Sequence, residues 1–180
     1  MNATRLLAGL VVLAGWLCLA HAAPADDAKK EGGDKEFMKK ASAAGLAEVN
    51  LSQLALRRAT NPAVREFAQR MGNDHMRANE NLLGIANNKQ ILAAERMDDT
   101  HTKLRDKLAK LEGAEFDREY MEAMVKDHEE AVKLFEKQSK DGQDAALKAA
   151  AGDMLPRLKK HLEMARDICK EVKGKTETKR

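Results

Sequence analysis

Five histidines and a set of carboxylates are the residues of this chain best suited to hold a metal ion or move a proton. Three of those histidines, His75, His128 and His161, and one glutamate, Glu48, interrupt stripes that are otherwise apolar. Three imidazoles and one carboxylate form a donor set that suits a single transition-metal ion, whether zinc, copper, iron or manganese. A carboxylate taken out of water without a partner is costly, so it shifts its pKa or recruits a positive charge. Asp74 and Asp127 immediately precede two of the histidines and sit at the stripe edge, where they can orient imidazoles from behind. Tyr120, on the helix face of Asp127, can hydrogen-bond into the same network. The same side chains also fit a metal-free arrangement, in which Glu48 hydrogen-bonds to one or more histidines and sets the register of the fold.

Such a site needs elements that bring the four residues to one level. Four segments carry apolar residues at three-to-four spacing, the period of a helix with one buried face. The first spans about Phe37 to Ala59, with Phe37, Ala41, Ala44, Glu48, Leu51, Ala55 and Ala59 on one face. The second opens at Asn61-Pro62, a capping residue followed by a proline in the first turn, and runs to about Asn87 through Val64, Ala68, Met71, His75, Ala78, Leu82 and Ile85. The third covers about Ala114 to Lys140 through Asp117, Met121, Met124, His128, Ala131 and Phe135, and Asp141-Gly142 stops it. The fourth covers about Asp144 to Val172 through Leu147, Ala151, Met154, Leu158, His161, Ala165 and Ile168, with Pro156 as a point of bending. Each stripe has its polar interruption near mid-length. At about 1.5 Å per residue the four therefore lie within a turn or two of one level, whichever way the helices are connected.

The composition agrees with an all-α chain: Ala, Leu, Lys, Glu and Met dominate and proline is scarce. The connection between the second and third helices is long against the roughly 2–8 residues usual between helices, and it carries a short helical piece near Asp98 to Leu111. A length like this can cross a whole bundle, as in ferritin-like folds. The expected architecture is thus a ferritin-like four-helix bundle over 37–172 with a long, partly helical connection between helices 2 and 3. A local echo links two of the helices: Phe67, Met71, Asp74 and His75 match Tyr120, Met124, Asp127 and His128 in type and spacing.

Other features read as structure. Met71, Met121, Met124, Met154 and Met164 lie on or near the stripes and serve as adaptable core filling, with a thioether copper(I) site as the sharper alternative. His101 falls among polar residues in the long connection and is expected to face solvent. The charge is +3, from 32 basic and 29 acidic residues that are interleaved, and aromatics are 3% of the chain; neither a basic footprint nor a stacking platform for nucleic acid is present. No phosphate-binding glycine loop, nucleophile elbow or Cys-x-x-Cys pair occurs, which favours a binding protein over an enzyme.

The N-terminus reads as an export signal over 1–22: Arg5, then an apolar run from Leu6 to Leu19, then Ala20-His21-Ala22. That run is short against the about 20 residues of a membrane span, so no span is expected after cleavage and the mature chain is expected in the periplasm. Cys18 leaves with the signal, and Cys169 then has no internal partner. Residues 23–36, charged and holding Gly32-Gly33, read as a flexible linker, and 173–180 as a frayed tail.

The segments Ala43–Leu51, Asn61–Ala68, Met71–His75, Phe116–Met121 and Leu155–Leu162 together resemble an uncharacterised bacterial family that is labelled as outer membrane proteins and is built on a ferritin-like domain of unknown function. The resemblance covers about Phe37 to Cys169. It implies an exported ferritin-like bundle without an established activity. Di-iron proteins of the wider ferritin-like superfamily use Glu-x-x-His on two helices, whereas here Gly72, Val125 and Leu158 stand three positions before His75, His128 and His161. A single-metal site, or none, is therefore expected in place of a di-iron centre. Its role would be metal handling or stress protection in the envelope, the alternative being a metal-free structural or interaction bundle.

Overall fold

The computed structural model describes residues 25–177, with side chains from 33 to 174. The expected signal segment over 1–22 lies outside the described residues. Five helices follow in order: α1 (Ala25–Arg58), α2 (Pro62–Lys89), α3 (Asp99–Leu108), α4 (Gly113–Asp141) and α5 (Ala145–Glu177). Four are long and form the bundle; α3 is the short helix of the connection.

Local chemistry sets the helix ends. The Asn61 side chain accepts from the Ala63 N–H at 2.9 Å and Pro62 follows at the first position of α2, where its missing N–H costs nothing. Asp98 caps α3 by accepting from the His101 N–H at 2.9 Å. Asp144 caps α5, accepting from Ala146 and Leu147. Gln90 ends α2 in the left-handed region, with φ of 54°. Helix α5 continues through Pro156.

Two buried carboxylates fix the topology. Asp117, near the start of α4, accepts from the Thr60 N–H and hydroxyl and from the Asn61 N–H at 2.8 to 3.1 Å, so the start of α4 lies beside the α1–α2 turn. Asp34, in the first third of α1, accepts from Gln138 Nε2 and from the Asp144 N–H, both at 2.7 Å, so this part of α1 lies beside the α4–α5 turn. The connection over 90–112 must then run the length of the bundle, and α2 and α4 are parallel. Helix α1 packs mainly on α2 and α4 mainly on α5, and the two pairs meet through α1 with α4 and α2 with α5. This is the ferritin-like arrangement, and α3 packs over α1 and α4 on its way across.

Two differences from the sequence reading stand out. Helix α1 begins at Ala25, ahead of Phe37, so the stretch expected to be a flexible linker is helical over its described part and Asp34 within it is buried. At the other end α5 reaches Glu177, past the expected frayed start at 173. The charges and Gly32-Gly33 that suggested flexibility give no sign of the long-range hydrogen bonds Asp34 makes.

The interior divides into two apolar clusters. One holds Leu51, Leu54, Phe67, Met71, Phe116, Tyr120, Met121 and Met124. The other holds Phe37, Met38, Leu82, Phe135, Leu147 and Leu158. Along each long helix the switch from one cluster to the other falls at Glu48, His75, His128 or His161.

Asp117→Ala is expected to lower stability by about 1–2 kcal/mol, because it removes the buried acceptor that ties the partly exposed donors of the α1–α2 turn to α4. Urea denaturation with an unchanged slope and a lower midpoint checks this.

Candidate metal centre

The site is built from the layer between the two clusters. His75 on α2, His128 on α4 and His161 on α5 are all buried. Their ring centroids form a triangle with every side 5.6 Å. Each ring offers a nitrogen, and the three nitrogens lie within 4.8 Å of one another. A tetrahedral ion with bonds of about 2.0–2.1 Å needs nitrogens roughly 3.3 Å apart, a contraction that small ring rotations supply.

The hydrogen bonds around the rings decide which nitrogens are available. His128 donates from Nδ1 to the Met124 carbonyl at 2.8 Å, which leaves Nε2 without a partner. His161 donates from Nε2 to Asp74 Oδ2 at 2.9 Å, which leaves Nδ1 without one. His75 Nε2 also has no partner. A histidine whose second nitrogen is tied to a carboxylate or a backbone carbonyl has its tautomer set and its basicity raised, as metal-binding histidines commonly do. Asp74 plays that part for His161, the histidine of another helix, and not for its neighbour His75.

Burial keeps the rings neutral. It pushes His75 well below the ordinary histidine pKa, with His128 and His161 adding repulsion. It lowers His128 to about 4 against the pull of the Met124 hydrogen bond, and it lowers His161 against the pull of Asp74. Neutral imidazole is the form that ligates.

Glu48 is buried on α1, with Oε1 3.7 Å from His128 Nδ1. It thus lies beside the ring nitrogen that faces Met124, and its Oε2 has no partner. Burial and the charge of Asp127 raise its pKa well above the carboxylate range. Tyr120 is fully buried on α4, its ring stacked on Phe116 and edge-on to Phe67, and burial together with the Glu48 charge pushes its hydroxyl pKa up. Asp127 is not among the groups whose ligand atoms converge with the three imidazoles: its Oδ2 is buried and lies 3.8 Å from His101 Nε2. Burial raises its pKa to about 6.

His101 corrects an expectation. Its side chain is only 16% exposed, it donates from Nδ1 to Asp98 Oδ2 at 2.8 Å, and it faces Asp127. The signal for this was present, since His101 is in helical register with Leu104 and Leu108, both of which pack into the core. Cys169 is a free, buried thiol whose pKa burial raises, as an inert core residue requires.

A cavity of about 580 Å³ opens beside the layer. Its walls include the three imidazoles, Glu48, His101 and Asp127, together with small residues such as Ala44, Ala78 and Ala131. At Gly45 a Cβ would run into the Asn79 carboxamide, so glycine there lets α1 and α2 approach at the cavity wall.

A family model describing a domain of unknown function, DUF4142, matches residues 19–168. The chain belongs to the DUF4142 family. The solved structure of "CopM in the Cu(II)-bound form" is similar to this chain with a TM-score of 0.64, covering 77% of this chain and 96% of that one at 17% identity. At that identity the likeness speaks to the fold alone, and the fold it supports is the helical bundle described above. The comparison with curated proteins returns no match. Among the described residues no helix is long and apolar enough to cross a membrane.

The His128 shift has a consequence for the metal-free protein. The folded state resists a proton that the unfolded chain accepts below about pH 6.5, so His128 lowers stability as pH falls from there towards 4. The advantage of the wild type over His128→Gln is expected to shrink by roughly 3 kcal/mol between pH 7 and pH 4. Denaturant midpoints of the two proteins at both pH values check this, and an unchanged difference would refute it.

Proposed function

We propose that this DUF4142 domain binds a transition-metal ion in the cell envelope through His75, His128 and His161, with the buried Glu48 carboxyl group beside His128 as a fourth polar group of the site. The observation that carries the reading is the set of three buried ring nitrogens without partners, His75 Nε2, His128 Nε2 and His161 Nδ1, on rings that converge from three helices. Buried polar atoms are nearly always hydrogen-bonded, and a group of exceptions at one place points to something they bind. A metal-free network would be expected to pair these atoms with one another.

The donor set suits zinc, copper or iron, with manganese less favoured by an imidazole-rich shell. Copper is the first ion to test, because a protein of the same fold has been solved with Cu(II). The envelope location rests on the export signal read over 1–22, and an outer-membrane association would rest on the label of the resembling family. The role that follows is metal handling rather than catalysis. The Glu-x-x-His pairs that build di-iron centres in this fold are replaced at Gly72, Val125 and Leu158.

The untagged chain lacking residues 1–22 is expected to bind Cu(II) or Zn(II) with sub-micromolar affinity. His75→Ala and His128→Ala should each weaken that binding by roughly 100-fold. Equilibrium dialysis with metal quantified by mass spectrometry reads the result. Should neither ion bind, or the variants lose stability while keeping full affinity, the reading fails.

A further inference from the structure

An ion on the imidazole triangle would have a coordination position to spare. Three protein nitrogens on a tetrahedral ion leave a fourth place for water or another ligand. The ligand atoms that converge belong to His75, His128 and His161, and Glu48 is not among them. Its Oε1 lies 3.7 Å from His128 Nδ1, whereas the unpartnered nitrogen of that ring is Nε2. The three imidazoles line the cavity of about 580 Å³, a size that admits a small organic ligand. Part of its wall is alanine, at Ala44, Ala78 and Ala131, where larger side chains would have filled the space.

Two arginines on the same wall define what that ligand carries. Arg77 follows Asp74 by three residues on α2, and Arg157 precedes His161 by four on α5. The hydrogen bond from His161 to Asp74 sets the register of these helices, which run in opposite directions. Both steps therefore lead the same way, and both arginines stand about 5 Å along the bundle from the triangle. They line the cavity and are exposed, so they sit where it meets solvent. Neither guanidinium has an ion-pair partner among the described residues. Burial lowers the His75 and His161 pKa values, and the Arg157 charge adds to both, so its field reaches the rings. The cavity thus has a metal-binding face at one end and two free planar cations at the other. A carboxylate fits each: it ligates a metal, and it accepts paired hydrogen bonds from arginine.

We propose that the cavity takes a small dicarboxylate, one carboxylate completing the coordination of the ion on His75, His128 and His161 and the other meeting Arg77 and Arg157. The proposal rests on the metal reading above and deepens it. The cavity walls carry more carboxylates than lysines and arginines, among them Asp127, Glu130 and Asp153. Those charges oppose an anion while the triangle is empty, so the dicarboxylate binds only after the ion. A monocarboxylate is too short to serve both ends. The bundle would then hold a metal together with an organic acid.

The test loads the untagged chain lacking residues 1–22 with Cu(II) and titrates it with succinate. The electron paramagnetic resonance spectrum of the bound copper reports ligation, and equilibrium dialysis measures the copper each sample retains. The spectrum is expected to change saturably, and acetate should need at least about tenfold more to act. Arg77→Gln and Arg157→Gln should each weaken succinate roughly tenfold at equal copper loading. Ala78→Leu should abolish its effect by filling the cavity. Both arginines are exposed, so their variants keep the test valid if Ala78→Leu fails to fold, which circular dichroism reads. Calorimetry of succinate with the metal-free chain should show no binding. No copper uptake overturns this proposal together with the metal reading. Copper uptake with a spectrum indifferent to succinate overturns the proposal alone. So does copper lost to succinate, equal affinity for acetate, or succinate binding that ignores the arginines or the metal.

Discussion

The structure depends on keeping a polar layer in the middle of a hydrocarbon interior. Glu48, His75, His128 and His161 separate two apolar clusters, and several of their polar atoms have no hydrogen-bond partner among the described residues. Each such atom costs about 1–3 kcal/mol when buried unpaired. A layer of them weighs heavily against a domain's whole margin of about 5–15 kcal/mol. The two clusters must offset that cost, and the layer must be held in register or its members would drift into apolar surroundings. Asp117 and Asp34 do this from opposite ends. Each is a buried carboxylate that ties a turn to a helix of the other pair through several hydrogen bonds. A slip of α4 against α1 and α2 by one residue would break the Asp117 set and rotate His128 out of the triangle.

The crossing connection gives the layer its geometry. Because the chain runs the length of the bundle between α2 and α4, those helices are parallel, and the sequence echo between them becomes a spatial one. Phe67 lies edge-on to Tyr120 at 6.4 Å, and His75 lies beside His128 at 5.6 Å. The match stops at the acids. Asp74 reaches across to His161 on α5, while Asp127 faces His101 on α3. Two copies of one pattern thus meet different partners. What differs is the helix that carries the histidine each acid meets, α5 for Asp74 and α3 for Asp127.

Much of this was legible in the sequence because one physical rule dominates the long helices. Residues at helical spacing share a face, and a polar residue on an otherwise apolar face must lie in the interior. That rule located all four long helices and the residues of the layer. It could not say which way each side chain turns once inside. Asp74 and Asp127 look equivalent in sequence and are not in space, and Glu48 faces the Nδ1 side of His128. The reading of His101 as solvent-facing failed for a different reason. In a short, polar helix the apolar register is carried by little more than Leu104 and Leu108, and charged neighbours outweighed it. Asp34 was missed because its partners, Gln138 and Asp144, are close only after the bundle has formed. No local pattern encodes such a contact.

The two sides of the layer are built differently, and this bears on what a metal there could do. Towards one end Met71, Met124, Phe67 and Tyr120 pack with no exposed surface to speak of. Towards the other, small side chains on facing helices, among them Ala44, Ala78 and Ala131, leave a cavity of about 580 Å³ against the imidazoles. A purely structural metal is best served by a closed shell that gives solvent no access. Here large apolar residues in place of those alanines would close the shell and add burial energy, yet the positions hold alanine. An ion at the triangle would be screened from one side and reachable from the other. It could enter, leave or accept a further ligand without the bundle opening, and that is the arrangement that handling an ion, as opposed to being stapled by one, demands.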